Sequence, residues 1–251
     1  VSEAEGAVVV TGGSRGIGAA VCRLLGASGR AVAVNYARDA VAAETVCHDV
    51  EAAGGRAIAI QGDMAAEADI SRLFAEATHA LGPIGGLVNN AGITGPMTRV
   101  ADVTEATLRR VMELNVIGAI LCARAAVRLM STAHGGRGGA IVNLSSRAAG
   151  LGGPGEWVHY AASKGAVDSF TLGLAREVAG EGIRVNAVAP GLIDTDIHAA
   201  AGDPGRVARV AGTVPIGRAG SARETAEAIV WLLSPAASYV TGAILPVSGG
   251  R

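Results

Sequence analysis

The run Ala7-Val8-Val9-Val10-Thr11-Gly12-Gly13-Ser14-Arg15-Gly16-Ile17-Gly18 decides how this chain folds. Its β-branched opening reads as a buried strand over Ala7–Thr11, and its glycines as a tight turn. Beyond the turn, Ile17, Val21, Leu24 and Leu25 recur at helical spacing, which predicts a helix over Gly16–Ser28. Strand, glycine turn and helix in this order let the backbone come close to a pyrophosphate, whose charge then meets free N–H groups and the positive end of the helix dipole. The spacing is Gly12-x-x-x-Gly16-x-Gly18 and not the common G-x-G-x-x-G, so the turn alone also fits a plain flexible connection.

Outward from that unit, short apolar runs predict strands over Ala31–Asn35, Arg56–Gln61, Gly86–Asn89, Ala140–Ser145, Arg184–Ala189 and Ala243–Pro246. Helical spacing predicts helices over Ala40–Ala53, Glu67–Ala80, Thr104–Met130, Trp157–Gly180 and Ala222–Leu233. Seven strands interleaved with six main helices is the pattern of βαβ units, an α/β fold with a parallel sheet. No internal repeat or linker divides the chain, so residues 1–251 are expected to form one domain. His134–Gly139 reads as a surface connection. Residues 191–220, from Gly191 to Gly220, are broken repeatedly by proline and glycine and form the candidate substrate lid.

Composition narrows the function classes. Half of the 251 residues are hydrophobic, enough for a sizeable core, and a net charge of -1 without a basic block argues against nucleic acid as a partner. The apolar runs are strand-length and too short for a membrane span. The acidic opening Val1-Ser2-Glu3-Ala4-Glu5 lacks the basic and apolar regions of a secretory signal, so a cytoplasmic location is expected. Cys22, Cys47 and Cys122 form no CxxC pair and read as packing residues. His48, His79, His134, His159 and His198 show no ligand spacing, so no metal is expected.

Two clusters carry chemistry. At the end of the second strand an acidic side chain would bond a ribose 2′-OH and repel a 2′-phosphate, but this chain has Asn35 there. Arg38 downstream and Arg15 in the turn can converge on a phosphate, which favours NADP(H), with NAD(H) as the alternative; Asp39 could instead neutralise Arg38 or serve the ribose. Further on, Tyr160-Ala-Ala-Ser-Lys164 places a phenol and an ammonium on one helical face. A phenol ordinarily titrates near ~10, and a neighbouring cation lowers that value towards the range useful for proton exchange. The apolar strand before it ends in Ser145-Ser146, hydroxyls at the strand end where doubly wound sheets place ligands.

The Thr11–Gly18 turn, Asn89-Asn90-Ala91-Gly92, Asn115, Ser145-Ser146, Tyr160-x-x-x-Lys164 and Pro190-Gly191 stand in the order seen in the short-chain dehydrogenase/reductase family, which the chain resembles over essentially its whole length. The resemblance implies a single-domain Rossmann fold, a doubly wound seven-stranded parallel sheet with helices on both faces. It implies an NADP(H)-dependent oxidoreductase that moves a hydride between nicotinamide and an alcohol or carbonyl group of a small-molecule substrate. Carried over by position, it makes Tyr160 the acid/base, Lys164 its electrostatic helper and ribose ligand, Asn115 the holder of a proton-relay water, and Ser146 the group that orients the substrate. Ser145 is the alternative, because 14 positions separate Ser146 from Tyr160, one more than in many members.

The same resemblance runs the cofactor along Gly12, Ser14, Arg15, Gly16, Ile17 and Gly18. It sets Asp63, alternatively a helix cap, and Met64 beside the adenine, and Asn89, Ala91 and Gly92 on the ribose side. Pro190, Gly191, Ile193 and Thr195 follow around the nicotinamide and phosphates. Substrate is expected against Gly150–Trp157 and Asp194–Gly217, with Trp157, His159, Ile197 and His198 as wall residues. Sugar-dehydrogenase-like and 3-oxoacyl-carrier-protein reductase-like members look most similar, and Arg109, Arg110, Arg124 and Arg128 could form a basic patch for a carrier protein. The ending Tyr239–Gly250 resembles the family's last strand and tail, which implies a homotetramer, although Pro246 replaces an expected acidic residue. A non-catalytic dinucleotide-binding redox sensor is the alternative function.

Overall fold

The computed structural model describes residues 6–251; the acidic opening read above for location lies outside them. The described residues form strands β1 (Ala7–Val10), β2 (Ala31–Tyr36), β3 (Arg56–Gln61), β4 (Ile84–Asn89), β5 (Gly139–Leu144), β6 (Ile183–Pro190), β7 (Ile193–Asp194), β8 (Gly220–Ser221) and β9 (Ile244–Val247). Seven of them join in one sheet ordered β3-β2-β1-β4-β5-β6-β9, every pairing parallel. The chain winds outward from β1 through β2 to β3, then returns to lay β4 on the other side of β1. That reversal opens a crevice at the carboxyl ends of β1 and β4, where open α/β sheets bind ligands.

Alternation along each strand divides the core. Val8 and Val10 of β1 point to one face and Ala7 and Val9 to the other, as a two-residue repeat requires. On the first face, α1 (Gly16–Ala27), α2 (Ala40–Ala52) and α10 (Ala222–Leu233) bury Leu25, Val46, Val50, Ile229 and Leu232 against Val32, Val34, Val88 and Val142. On the other, α3 (Glu67–Leu81), α5 (Ala119–Met130) and α7 (Val158–Val178) bury Leu73, Phe74, Met130 and Val178 against Leu87, Ile141 and Val185. The doubly wound sheet with helices on both faces is thus present, and strand ends differ from the expected ones by two residues at most. Cys22 and Cys122 are buried packing residues and no cysteine is bridged. No helix among the described residues is long and apolar enough to cross a membrane.

The expected helix over Thr104–Met130 is present and unbroken from Glu105 to Met130, but its middle is π-helical: α4 (Glu105–Met112) passes through a π turn over Glu113–Gly118 directly into α5. The cause lies outside the segment. A Cβ at Gly118 would stand 2.0 Å from the Met64 carbonyl oxygen, and Asn115 is drawn to the backbone of Ile93. A π turn absorbs the extra residue, a distortion found most often at functional sites. Residues 191–220 carry short elements of their own. They hold α8 (Ile197–Ala200) and α9 (Arg206–Val210), and their two ends are tied by the β7–β8 pair, Ile193 opposite Gly220 and Asp194 opposite Ser221.

Candidate active site

The glycine turn is fixed by the Thr11 hydroxyl and by the side-chain amides of Asn90 and the buried Asn35. Thr11 Oγ1 accepts from the backbone N–H groups of Asn90 and Ala91, each at 3.0 Å, and Asn90 Nδ2 donates to the carbonyls of Thr11 and Gly12 at 2.9 Å. Asn35 Oδ1 accepts from Gly12 N at 3.1 Å while its Nδ2 donates to the carbonyls of Ile60 and Gly62. With Gly16 at φ +54° the chain turns directly into α1, whose N-terminus has no side-chain cap and no acidic residue in its first turn. Its first N–H groups are therefore open to an anion.

Several sequence expectations change here. Asn35 is 2% exposed and its side-chain amide is engaged in holding the turn, so it supports the cofactor cradle from behind and does not present its amide to the crevice. Asp39 caps α2 by accepting from Ala42 N at 2.9 Å, and neither Arg38 nor Arg15, both exposed, is ion-paired to a described carboxylate. Asp63 is not the cap of α3, whose N-cap is Ala66; its carboxylate accepts from Ala65 N and from Arg110 at 2.9 Å. The Met64 side chain is buried in the core against Cys122. Asn89 is also committed internally, donating to Ala119 O and to Asn143 Oδ1. Ala91 and Gly92 remain at the crevice: a Cβ at Gly92 would stand 3.1 Å from Asn115 Oδ1 and 3.6 Å from Lys164 Nζ.

The proton-handling groups meet where β5 ends and α7 begins. Helical spacing puts Tyr160, Lys164 and Asp168 on one face of α7, and Lys164 Nζ stands 5.7 Å from the Tyr160 ring centroid. That ammonium is 5% exposed and donates to Leu144 O, the last carbonyl of β5, at 2.6 Å. Burial lowers Lys164 to about 8, with the Asp168 carboxylate pulling it back up. Burial also raises the Tyr160 phenol above its ordinary range, and the nearby Ser146 hydroxyl acts the other way. The phenol is thus raised and not lowered as expected: desolvation is the largest cause, and the group opposing it is the Ser146 hydroxyl and not Lys164. Of the two strand-end serines, Ser146 faces Tyr160 and Ser145 faces Asp168. The Asn115 amide is 1% exposed and bonds Ile93 N, Ile93 O and Ser163 Oγ, which welds the π turn to α7.

Beside these groups lies a cleft of about 390 Å³, walled by Leu151, Trp157, Leu192, Ile197 and His198 and bordered by Gly191, Ile193 and Thr195. Glu156 and Arg206 close one side of it as a bidentate pair at 2.6 and 2.7 Å, with the Arg206 guanidinium 4.6 Å from the Trp157 ring. This pair escapes a reading of the sequence because fifty residues separate its members and neither sits in a motif. Asn90 and Thr11 lie inside quoted motifs, but only their bonds give them a role. His159 does not line the cleft: it is 7% exposed and its Nε2 pairs with Thr94 O. Of the four arginines read as a basic patch, Arg109 pairs with Glu105, Arg110 with Asp63 and Arg124 with Glu67 at the surface, while Arg128 is exposed and forms no ion pair with a described carboxylate.

Comparison with known proteins places this geometry. The family model described as enoyl-(acyl carrier protein) reductase matches residues 12–251. The uncharacterized oxidoreductase YgfF of Escherichia coli (strain K12) is 50% identical over 243 residues, 97% of this chain and 98% of that protein. The cis-4-hydroxycyclohexanecarboxylate dehydrogenase of Sinomonas cyclohexanicum is 42% identical over 98% of this chain and 96% of its own. Among solved structures, a blue fluorescent protein from a metagenomic library, in complex with NADPH, superposes with a TM-score of 0.88 at 37% identity, covering 99% of both chains. Sheet order, switch-point crevice and these matches agree, and the chain belongs to the short-chain dehydrogenase/reductase family of oxidoreductases.

Proposed function

We propose that the protein transfers a hydride between NADP(H) and an alcohol/carbonyl pair of a small molecule, with Tyr160 as the acid/base. The observation that carries this reading is the meeting of Ser146, Tyr160 and Lys164 at the mouth of one cleft beside the glycine turn. The chain's own features fit a dinucleotide: an uncapped helix N-terminus without a first-turn carboxylate, and a glycine where Asn115 and Lys164 converge. Arg15 and Arg38, unpaired with any described carboxylate, favour a 2′-phosphate and hence NADP(H) over NAD(H). The NADPH-bound structural relative supports the same choice.

When bound, the nicotinamide supplies or accepts the hydride. Ser146 holds the substrate oxygen, where charge develops as the carbonyl carbon is reduced. Tyr160 delivers its proton to that oxygen, and its raised phenol keeps the proton available through neutral pH. Lys164 stabilises the phenolate left behind, and in oxidation the proton returns by the same route. Asn115, through Ile93 and Ser163, holds the backbone around this relay. Trp157, Ile197 and His198, with the lid over residues 191–220, exclude water from the substrate side. Exposed Met112, Ile117 and Ile120, on successive turns of α4, the π turn and α5, support an oligomer, a homotetramer in this reading, to be weighed by light scattering.

The test is a panel of ketones, sugars, polyols and acyl thioesters with NADPH or NADP+. Tyr160→Phe should lower kcat by about a thousandfold or more with cofactor affinity nearly unchanged. Near-wild-type kcat in that variant excludes Tyr160 as the acid/base, and no wild-type turnover across the panel supports the sensor alternative.

A further inference from the structure

Among the 21 lysine and arginine residues of the sequence, Lys164 is the only lysine. Guanidinium groups stay charged at every pH a protein tolerates, so Lys164 is the one basic side chain of the two types whose charge can change near neutrality. One turn further along α7, at i,i+4 on the same face, stands Asp168, whose carboxylate acts on the Lys164 ammonium across the site without closing an ion pair and lies beside the Ser145 hydroxyl. Asp168 Oδ1 and Ser145 Oγ are both buried and neither has a partner at full hydrogen-bond geometry, yet the hydroxyl is close enough to the carboxylate to hold its pKa down. Ser145 is 3% exposed. Packing alone does not call for a carboxylate here, because the same helical face carries Ala161, Thr171 and Ala175. A buried polar atom without a partner is costly, so an acidic side chain at this place needs another source of gain.

We propose that Asp168 is a positioning residue for the Tyr160–Lys164 pair, with its carboxylate, oriented by Ser145, keeping Lys164 in the ammonium form and aimed at the cleft. The two strand-end serines then serve different residues, Ser146 the phenol and Ser145 the carboxylate. The inference rests on the proposed role of Lys164. Around the ammonium, Tyr160 lies on its own helix, Leu144 O on β5 and Asn115 on the π turn, and Asp168 is the one described carboxylate acting on it. Burial pushes Lys164 down and Asp168 up, each disfavouring its charge, and their mutual attraction opposes both. The sign follows: removing Asp168 lowers the Lys164 midpoint, and the ammonium is lost at lower pH.

A single lysine makes this directly measurable. Protein labelled with ¹³Cε-lysine gives one lysine side-chain resonance, titrated without cofactor or substrate. A wild-type midpoint near 8 is expected, falling by about one pH unit in Asp168→Asn and returning to within about 0.3 in Asp168→Glu. The wild-type resonance should also show a smaller acid-side inflection from Asp168, above the ordinary carboxylate range, which Ser145→Ala moves to higher pH. That second reading needs no folded Asp168 variant. An unchanged midpoint in Asp168→Asn, or a wild-type titration with no acid-side inflection, overturns the proposal. Because neither reading uses turnover, failure of the panel above would remove the enzymatic reading and leave the Asp168–Lys164 pairing to stand or fall by the resonance.

Discussion

The two rims of the cleft are built differently. On the cofactor rim, the turn Thr11–Gly18 is held by the side-chain amides of buried Asn35 and half-buried Asn90, which bond backbone atoms of the turn and of the neighbouring strand ends. On the substrate rim, Gly153–Trp157 and α9 are joined by side chains alone, the Glu156–Arg206 pair and the stacking of Arg206 on Trp157. Backbone fixed by amide bonds on several strands is tightly constrained, whereas two segments joined to each other only through one ion pair and one ring contact can part locally at lower cost. The difference suits the work of each side, because a dinucleotide is a constant ligand while a lid must admit and release its substrate.

The hardest way to break the contrast is on the rigid rim. Gly18→Ala places a Cβ 2.3 Å from Gly12 O, a backbone atom that cannot step aside without moving the turn. Overpacking of this kind costs about 1–3 kcal/mol, and we expect NADPH affinity to fall about a hundredfold at the upper end of that cost. Fluorescence titration with NADPH reads it, and an unchanged Kd would mean the turn is not the cofactor cradle.

A smaller effect separates the cofactors. Arg38→Ala removes one charge-assisted contact, worth about 1.5–3 kcal/mol. NADPH should weaken about tenfold or more and NADH not at all; equal losses for both would end the phosphate reading. The mildest change sharpens the view of the flexible rim. Arg206→Met keeps volume near Trp157 but breaks the pair with Glu156, whose side chain is 34% exposed and can turn to water, so about 1–2 kcal/mol is lost locally. Substrate KM should rise about tenfold with NADPH Kd unchanged; a loss of NADPH affinity would show the rims to be one unit.

Much of this architecture is legible in the chain. Val8-Val9-Val10 followed by glycines and the helical period of Ile17, Val21 and Leu25 defines a buried strand and its helix by local rules alone, and the same rules hold for five further βα units. Tyr160 and Lys164 are legible for a like reason, since four positions on a helix bring two side chains together whatever surrounds them. The residues misread were those whose meaning depends on distant partners. Asn35 has the right place for a cofactor ligand, and only the carbonyls of Ile60 and Gly62 show that its amide is already used. Arg110 resembles a docking charge until Asp63 stands beside it, forty-seven positions away.

By itself, then, the sequence determined the order of strands and helices, the glycine turn and the pairing of a phenol with an ammonium, because periodicity and i,i+4 spacing act within a few residues. The tertiary structure decided which of two adjacent serines faces Tyr160, that burial raises the phenol, and that Asp168 lies against Ser145. It also decided the π turn at Asn115 and the joining of Glu156 to Arg206. Desolvation and hydrogen-bond partnership are properties of surroundings, and the surroundings of each of these groups come from segments far apart in the chain.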